Sequence, residues 1–478
     1  MSALAWYYLQ KGSKVSGYDR VATPLTRQLE QAGAAIHYVE APELIPADVD
    51  GVIYTPAIPS GNTEWKEIRR RSLPVFKRAE ILGRICQGYK TLAVAGTHGK
   101  TTVSSMLAYL LMESIGCNAI LGGVALNLGG NYHYDAASPL MVTEADEYDR
   151  SFLQLHPWFS AITAWDADHL DIYGTLKNMR DAYRHFMRQS RHFIAFEGLS
   201  EDLDEPKADY FYGIGEQTGE MGIAVDAGNI QGQCGISARA LGLEVRSGAY
   251  RFDYAGPRAA IQGLELRCPG RHNVLNAVAA VSLALEAGAT PESIKRLLPG
   301  FKGVARRLES KAEAGSWHYF DDYAHHPAEI EASIAALKEF YPHARLCIAF
   351  QPHLYTRTRD FAAGFAQSLS AADRIFLVDI YPARELPLPG VDAHLIGDRI
   401  QGKEVRYGSR EEALDWIAMQ LEVDAGGDSF SGKAQPVCKD DVGSADAEVE
   451  TVIVTMGAGD IDRIAGKVAE MVKKGGRK

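Results

Sequence analysis

The sequence predicts an α/β protein built from parallel-sheet units, and three observations carry that prediction. Apolar runs of strand length alternate with helical patterns along most of the chain, the arrangement that gives parallel sheets covered by helices. One such run, residues 91–95, leads into Gly96-Thr97-His98-Gly99-Lys100-Thr101-Thr102 and then into an apolar-periodic helix. The chain has 478 residues, enough for about three domains at ~150 residues each.

Residues 1–88 read as a first small α/β unit. Lys14-Val15-Ser16-Gly17-Tyr18-Asp19 is a predicted strand ending in an acidic residue. Val52-Ile53-Tyr54-Thr55 is a second, followed by the Pro-rich loop Pro56-Ala57-Ile58-Pro59-Ser60, and Leu73-Pro74-Val75-Phe76 is a third. Residues 89–300 form the second unit. Leu140-Met141-Val142-Thr143 and Ser160-Ala161-Ile162-Thr163-Ala164-Trp165 are strand-like and run into acidic or His residues. Ligands of open parallel sheets collect beyond the carboxyl ends of strands. Residues 208–268 form a more irregular, β-leaning stretch, and a helix is expected from near Asn273 through Ala277, Ala280 and Leu283. Residues 301–478 form the third unit. Its clearest strands are Leu346-Cys347-Ile348-Ala349-Phe350, Arg374-Ile375-Phe376-Leu377-Val378 and Val452-Ile453-Val454-Thr455. The acidic, Gly/Ser/Asp-rich stretch near 422–449 lacks periodicity and reads as a surface insertion or disordered loop.

Composition narrows the function classes. Apolar residues make up 46% and charged residues 23%, as in ordinary globular domains. The net charge of −11 argues against binding along a nucleic-acid backbone, which needs a basic surface, but not against a small anion held by a few placed cations. No apolar run reaches the ~18 residues of a membrane span. The start, Met1-Ser2-Ala3-Leu4-Ala5-Trp6, lacks the pattern of a signal peptide. The six cysteines are scattered without Cys-x-x-Cys spacing, which predicts reduced, mostly buried thiols. A cytoplasmic protein is the expectation.

The loop at 96–102 has the layout of a phosphate cradle. Backbone N–H groups at a helix N-terminus face the phosphates, Lys100 adds a point charge, and the Thr101 hydroxyl is suited to Mg²⁺. The usual pattern carries another glycine five residues before Gly99; Val94 stands there, so the string is shortened and His98 fills the turn. Glu144-Ala145-Asp146-Glu147-Tyr148-Asp149 places a dense run of carboxylates after a strand. A carboxylate there is the expected partner of a nucleotide's Mg²⁺, and Glu144 lies nearest the strand end. Asp168-His169 repeats this placement one strand later, which makes His169 a candidate metal ligand. In Gly270-Arg271-His272-Asn273-Val274-Leu275-Asn276, His272 and either Asn273 or Asn276 cap the helix or reach a nucleotide base or phosphate. Arg306-Arg307 sits at a predicted junction, where an arginine reaching a γ-phosphate would stabilise transition-state charge. Asp321-Asp322-Tyr323-Ala324-His325-His326-Pro327 and residues 350–359 both follow strands, and together they look like a ligand wall.

These motifs, in this order, resemble those of the Mur ligases of peptidoglycan synthesis. The resemblance covers nearly the whole chain apart from the 422–449 insertion. It implies a three-domain architecture with an N-terminal Rossmann-like domain for a UDP-sugar (1–88), a central P-loop ATPase domain (89–300) and a C-terminal Rossmann-like domain for the amino acid (301–478). The implied reaction is ATP-driven amide synthesis through an acyl phosphate. Within the family the residues favour the branch that joins L-alanine to UDP-N-acetylmuramate. The implied cofactors are ATP and Mg²⁺, with Thr101 on a first ion and Glu144 and His169 on a second. Gly96, Thr97, His98, Gly99, Lys100, Thr101 and Thr102 would hold the phosphates, and His272 and Asn276 the adenine. Arg306 or Arg307 would reach ATP, together with Asp322. Lys100, Glu144, His169 and Arg306 form the implied catalytic set. Tyr323, His325 and Arg357 would position the amino acid, and Asp19, Thr55 and Ser60 would contact the UDP-sugar.

Two departures from the family pattern stand out. Family members place a strand and a Gly-rich loop immediately before Met-Ser-Ala-Leu-Ala, whereas this chain starts at that Met1. The simplest explanation is a misassigned or truncated start; if the chain is truly this short, the N-terminal sheet is expected to lack a central strand and the loop for the UDP diphosphate. Leu354 stands where many members carry Arg, so one contact to the amino-acid carboxylate is missing or comes from another group such as Arg359. Two other readings compete: a recycling ligase that attaches a whole tripeptide to UDP-N-acetylmuramate, and a nucleotide-binding regulator without ligation chemistry. Gln351-Pro352-His353 followed by Tyr355-Thr356-Arg357-Thr358-Arg359 favours the alanine branch over the first. The combined presence of Lys100, Glu144, His169 and Arg306 argues against the second.

Overall fold

The computed structural model describes residues 1–478 apart from 57, 60, 167–169, 204, 216–236, 247, 384, 424–449 and 476–478. The described chain divides into two compact units. One comprises Met1–Glu244, Tyr250–Arg267 and His272–Val304; the other comprises Val245–Ala249, Cys268–Arg271 and Ala305–Lys478.

The first unit opens with two separate parallel ribbons. β1 (Ser16–Tyr18) pairs with β2 (Ala35–His37), and β3 (Val52–Tyr54) pairs with β4 (Val75–Lys77). Two-stranded ribbons are marginal alone, and packing anchors these. Ala3 and Leu4 of the helix Ser2–Gln10 join Ile81, Leu82 and Ile85 of the helix Arg78–Cys86 in one core with Ala93 and Ala95 of the central sheet.

That sheet contains β5 (Lys90–Ala95), β6 (Asn118–Ala125), β7 (Gly130–His133), β8 (Leu140–Ala145), β9 (Phe159–Ile162), β10 (His192–Phe196), β11 (Tyr210–Ile214), β12 (Ala238–Arg246), β13 (Ala249–Ala255) and β14 (Ala260–Leu266). Their spatial order is β14-β13-β12-β11-β10-β9-β5-β8-β6-β7. β5 lies between β8 and β9 and is parallel to both. Helices cover both faces of such a strand, which explains why its sequence is continuously apolar instead of alternating. Register sets Val94 beside Glu144 and Ala95 beside both Ala145 and Ile162, so the loops that follow all three strands emerge together. The helix Lys100–Met112 follows β5 and is buried along Val103–Leu111. A helix apolar all round belongs in an interior.

The second unit holds β15 (Glu309–Ala314), β16 (Trp317–Asp322), β17 (Arg345–Phe350), β18 (Arg374–Val378), β19 (Val405–Gly408) and β20 (Thr451–Met456), in the order β15-β16-β20-β17-β18-β19. β15 runs antiparallel to β16, and the other pairs are parallel. Side-chain alternation splits this sheet between two cores. Leu346, Ile348, Phe350, Val452 and Val454 face the helices Pro327–Phe340 and Tyr355–Leu369. Cys347, Ala349 and Ile453 face Trp416, Ile417, Val468 and Val472 on the opposite side. Covered on both faces, the sheet has the doubly wound, Rossmann-like form the sequence predicts. The ends of β16, β20 and β17 lie in register, Asp322 beside Met456 and Met456 beside Phe350.

The sequence reading named no strand at β2, β6, β7, β10, β15 or β19, and it placed a strand before the Asp321 loop, where Asp321 and Asp322 prove to be the last residues of β16. The stretch 208–268, expected to be β-leaning but irregular, contains the four strands β11 to β14. The insertion near 422–449 falls almost wholly outside the described residues. Among the described residues no helix is long and apolar enough to cross a membrane.

Candidate functional site

In the first unit the phosphate loop is built by close backbone approach. Gly96 has φ +142°, and a Cβ there would lie 2.0 Å from Thr163 Oγ1 and 2.7 Å from the Ala164 nitrogen. Gly99 caps the helix in the left-handed region at φ +79°, where a Cβ would lie 2.7 Å from Asn276 Oδ1. Only glycine fits either position. The Thr97 amide donates to Ala164 O at 3.1 Å, the Asp166 amide donates to Thr97 Oγ1 at 3.2 Å, and Thr163 Oγ1 donates to His98 O. The loop is thus pinned to the end of β9. The His98 side chain is exposed, 3.6 Å from Asp166. Lys100, Thr101 and Thr102 form the first helical turn, whose N–H groups have no intrahelical acceptors and suit an anion.

Glu144 lies within β8, next to its last residue, instead of in the loop that follows. Thr101 Oγ1 donates to Glu144 Oε2 at 3.1 Å, and the Gly122 amide donates to Oε1 at 2.7 Å. A Cβ on Gly122 would lie 2.6 Å from Glu144 Oε2, and one on Gly123 would lie 2.8 Å from Thr101 Cγ2. A hydroxyl and a carboxylate side by side, kept clear by two glycines, form an oxygen donor set of the kind hard divalent cations take. The residues present therefore fit Mg²⁺. Asp168 and His169 lie outside the described residues, as does Ser60. Lys100 Nζ donates to Gly96 O at 2.6 Å and to both oxygens of the buried Glu147 at 2.8 and 2.9 Å.

His272 and Asn276 begin the helix Arg271–Ala287. His272 is exposed, while Asn276 is buried, donates to Asn273 Oδ1 at 3.2 Å and abuts Gly99. Asp19 is exposed after β1 and accepts the Val21 amide. Thr55 follows β3, and its carbonyl accepts the Ile58 amide.

In the second unit the loops after β16, β17 and β20 converge. Tyr323 is 44% exposed, its ring 5.2 Å from that of His325, which is 6.2 Å from that of His353. The imidazole of His353 stacks on Tyr381 at 5.7 Å. Burial, then the charges of Arg357 and His325, hold His353 below its ordinary pKa, so it is kept neutral near pH 7. Buried His353 Nδ1 and Arg357 Nη1 have no hydrogen-bond partner among the described residues. Unsatisfied buried polar atoms are rare and costly, and two in one cluster mark a place for a polar ligand. Leu354 takes φ +71° and caps the helix Tyr355–Leu369, whose first turn Glu385 ties down through Thr356.

Arg306 also belongs to this unit. Its Nη2 donates to Gly457 O at 2.6 Å, its guanidinium lies 3.5 Å from both Asp321 and Asp462, and it covers the Tyr323 ring at 4.9 Å. Arg307 is exposed. Asp322 is buried and accepts the Ser333 hydroxyl. Asp321 accepts from Thr455 Oγ1 at 2.8 Å, and burial raises its pKa from 3.8 to about 6.

Sequence reasoning named the loop, Glu144 and the C-terminal pocket residues, but assigned no part to Gly122, Gly123, Glu147 or the imidazole of His353. The paired glycines after an apolar run were the available signal for the first two. His353 already stood in a motif of interest. Nothing local separates Glu147 from the other carboxylates around it.

Comparison with known proteins adds to this geometry. Residues 1–90 match the Mur ligase family catalytic domain, residues 94–284 the Mur ligase middle domain, and residues 306–427 the Mur ligase glutamate ligase domain. The UDP-N-acetylmuramate–L-alanine ligase of Phocaeicola vulgatus is 39% identical over 99% of this chain and 96% of its own length. That of Parabacteroides distasonis is also 39% identical, over 100% of this chain and 96% of the relative. Among solved structures, the UDP-N-acetylmuramate–alanine ligase of Thermotoga maritima aligns with a TM-score of 0.74 at 24% identity, covering 99% of this chain and 96% of that one. A murein peptide ligase of Psychrobacter arcticus aligns less closely, with a TM-score of 0.59 at 21% identity over 99% of this chain and 96% of that one.

Proposed function

The chain belongs to the Mur ligase family, and from that premise we propose that it joins L-alanine to the carboxylate of UDP-N-acetylmuramate, driven by ATP. The observation that carries the substrate choice is identity of 39% over essentially the whole chain to relatives named for that reaction. The chemistry rests on the phosphate loop with Lys100, on the Thr101–Glu144 pair, and on the unsatisfied cluster around Arg357.

A carboxylate is a poor acyl donor because oxide is a poor leaving group. In the proposed reaction a muramoyl carboxylate oxygen attacks the γ-phosphorus of ATP, ADP leaves, and an acyl phosphate results. The amine of L-alanine then attacks the acyl carbon, inorganic phosphate leaves, and the nitrogen loses a proton. Lys100 and the first-turn amides offset charge on the transferring group. Thr101 and Glu144 would hold Mg²⁺, which would supply further charge neutralisation on the phosphates. His169 is proposed as a further ligand from the family pattern. Arg357, half-buried with an unpaired Nη1 among the described residues, supplies a guanidinium for the amino-acid carboxylate, and neutral His353 beside it is suited to hydrogen-bond an amine or carboxylate. His272, Asn276, Arg307 and Asp322 are proposed on the nucleotide, and Asp19, Thr55 and Ser60 on the UDP-sugar. The boundaries 1–88, 89–300 and 301–478 are proposed for the three domains, and the cytoplasm for the site of action.

The test is phosphate release with ATP, Mg²⁺ and UDP-N-acetylmuramate, run in parallel with L-alanine and with the tripeptide. Release with L-alanine is expected. Release with the tripeptide alone would move the protein to cell-wall recycling, and no release with either would overturn the ligase reading.

A further inference from the structure

We propose that Glu147 competes with nucleotide phosphate for the ammonium of Lys100 and so sets the affinity of the phosphate loop; the proposal rests on the ATP-dependent reading above. An ammonium has three donors. Here three acceptors sit within hydrogen-bond distance of Lys100 Nζ: Gly96 O and both oxygens of Glu147. A phosphate oxygen can reach this ammonium only by displacing one of them.

The carboxylate is the fixed partner of the pair. Glu147 is 1% exposed against 15% for Lys100. Its carbonyl accepts from Tyr173 Oη at 2.6 Å and from the Arg150 amide at 2.9 Å. The next residues are held in a strained course, with Asp149 and Arg150 both left-handed at φ +52° and +55°. Asp149 is tied to Lys77 at 2.9 Å, and Arg150 lies 5.5 Å from the centre of the Tyr173 ring. The flexible lysine stem is therefore what moves when phosphate binds.

Its departure would take a cation away from a buried carboxylate, and a further donor stands nearby. Tyr183 is fully buried on the helix Leu176–Gln189 and packs against Phe152. Among the described residues its hydroxyl forms no hydrogen bond of ordinary geometry, yet it lies close enough to Glu147 that the carboxylate, after burial, helps suppress its ionisation. Phosphate binding then exchanges a Lys100–Glu147 pair for a Lys100–phosphate pair and a Tyr183–Glu147 hydrogen bond.

The experiment is calorimetric titration of the full chain with ADP and with ATP in Mg²⁺, without the other substrates. Glu147→Gln keeps shape and one acceptor but removes the charge, and is expected to tighten nucleotide binding about tenfold. Adding Glu147→Gln to a Lys100→Ala background should leave affinity unchanged, which a merely structural role of Glu147 would not produce. Tyr183→Phe removes the replacement donor and should weaken binding by several-fold, an opposite sign that stands even if Glu147→Gln fails to fold. Unchanged or weaker binding by folded Glu147→Gln would overturn the competition alone. Failure of the unaltered protein to bind nucleotide would overturn the functional reading and the competition with it.

Discussion

Replacing Gly96 by Ala tests the geometry on which the proposed nucleotide site depends. Two separate penalties arise. Ala at φ +142° is strained, at roughly 1–2 kcal/mol for a left-handed L-residue. The new methyl would also stand 2.0 Å from Thr163 Oγ1, 2.7 Å from the Ala164 nitrogen and 3.0 Å from its carbonyl oxygen. Overpacking of this kind typically costs about 1–3 kcal/mol. The total is roughly 2–5 kcal/mol. Gly288→Ala supplies the control, because Gly288 has φ +107° but nothing within 4 Å of where its methyl would stand. Both variants should be unfolded in urea, followed by circular dichroism, and titrated with ATP. Gly96→Ala is expected to be the less stable by the steric part and to bind ATP poorly, while Gly288→Ala binds it normally. Adding Thr163→Ala should restore only part of the loss, since the Ala164 backbone remains. Equal stability of the two single variants, with ATP binding intact, would refute the close approach of this loop to β9.

Other expectations follow from the same contacts. Lys100→Ala should abolish turnover and also lower the urea midpoint, because it removes the ammonium paired with the buried Glu147; Lys100→Ala combined with Glu147→Gln should regain stability in urea but not turnover. Arg357→Ala should raise the KM for L-alanine by about 10–100-fold, the worth of a charged hydrogen bond, with little change in the KM for ATP. Equal effects on both constants would remove Arg357 from the amino-acid pocket. Asp321 has a folded pKa of about 6, above its ordinary 3.8. The proton is thus bound more tightly in the folded state, so this group's stabilising contribution is full below pH ~4 and is lost as pH rises through ~6. Asp321→Asn should therefore gain on the unaltered protein across that window, by an amount of order 3 kcal/mol, read as the difference between their urea midpoints at each pH. A pH-independent difference would show that burial does not dominate this carboxyl.

How far the site was legible differs from residue to residue. The phosphate loop could be read because its requirements are local: a strand, glycines at positive φ, then a helix start, all within residues 90–102. Glu144 could be read because a carboxylate at the end of an apolar strand is unusual and the preceding run gives its register. A strand before the Asp321 loop could be read but not its bounds: Asp321 and Asp322 are the last residues of β16 instead of following it, because the whole strand is buried and no alternation marks where it ends. His353 was visible as part of a motif, but its lowered pKa depends first on burial and then on Arg357 and His325.

The sequence by itself determined the α/β class, the strand–glycine loop–helix unit at 90–112, the order of the motifs and the family they point to. Each of these depends on residues close along the chain, where backbone geometry and side-chain period act directly. Tertiary structure alone decided which acidic residue faces which cation or hydroxyl. Glu144 meets Thr101, Glu147 meets Lys100 across 47 positions, and Arg306 turns to Asp321, Asp462 and Gly457. Coulomb attraction and burial act through space, and the spacing they depend on is set by strand register and helix packing, which no local pattern encodes.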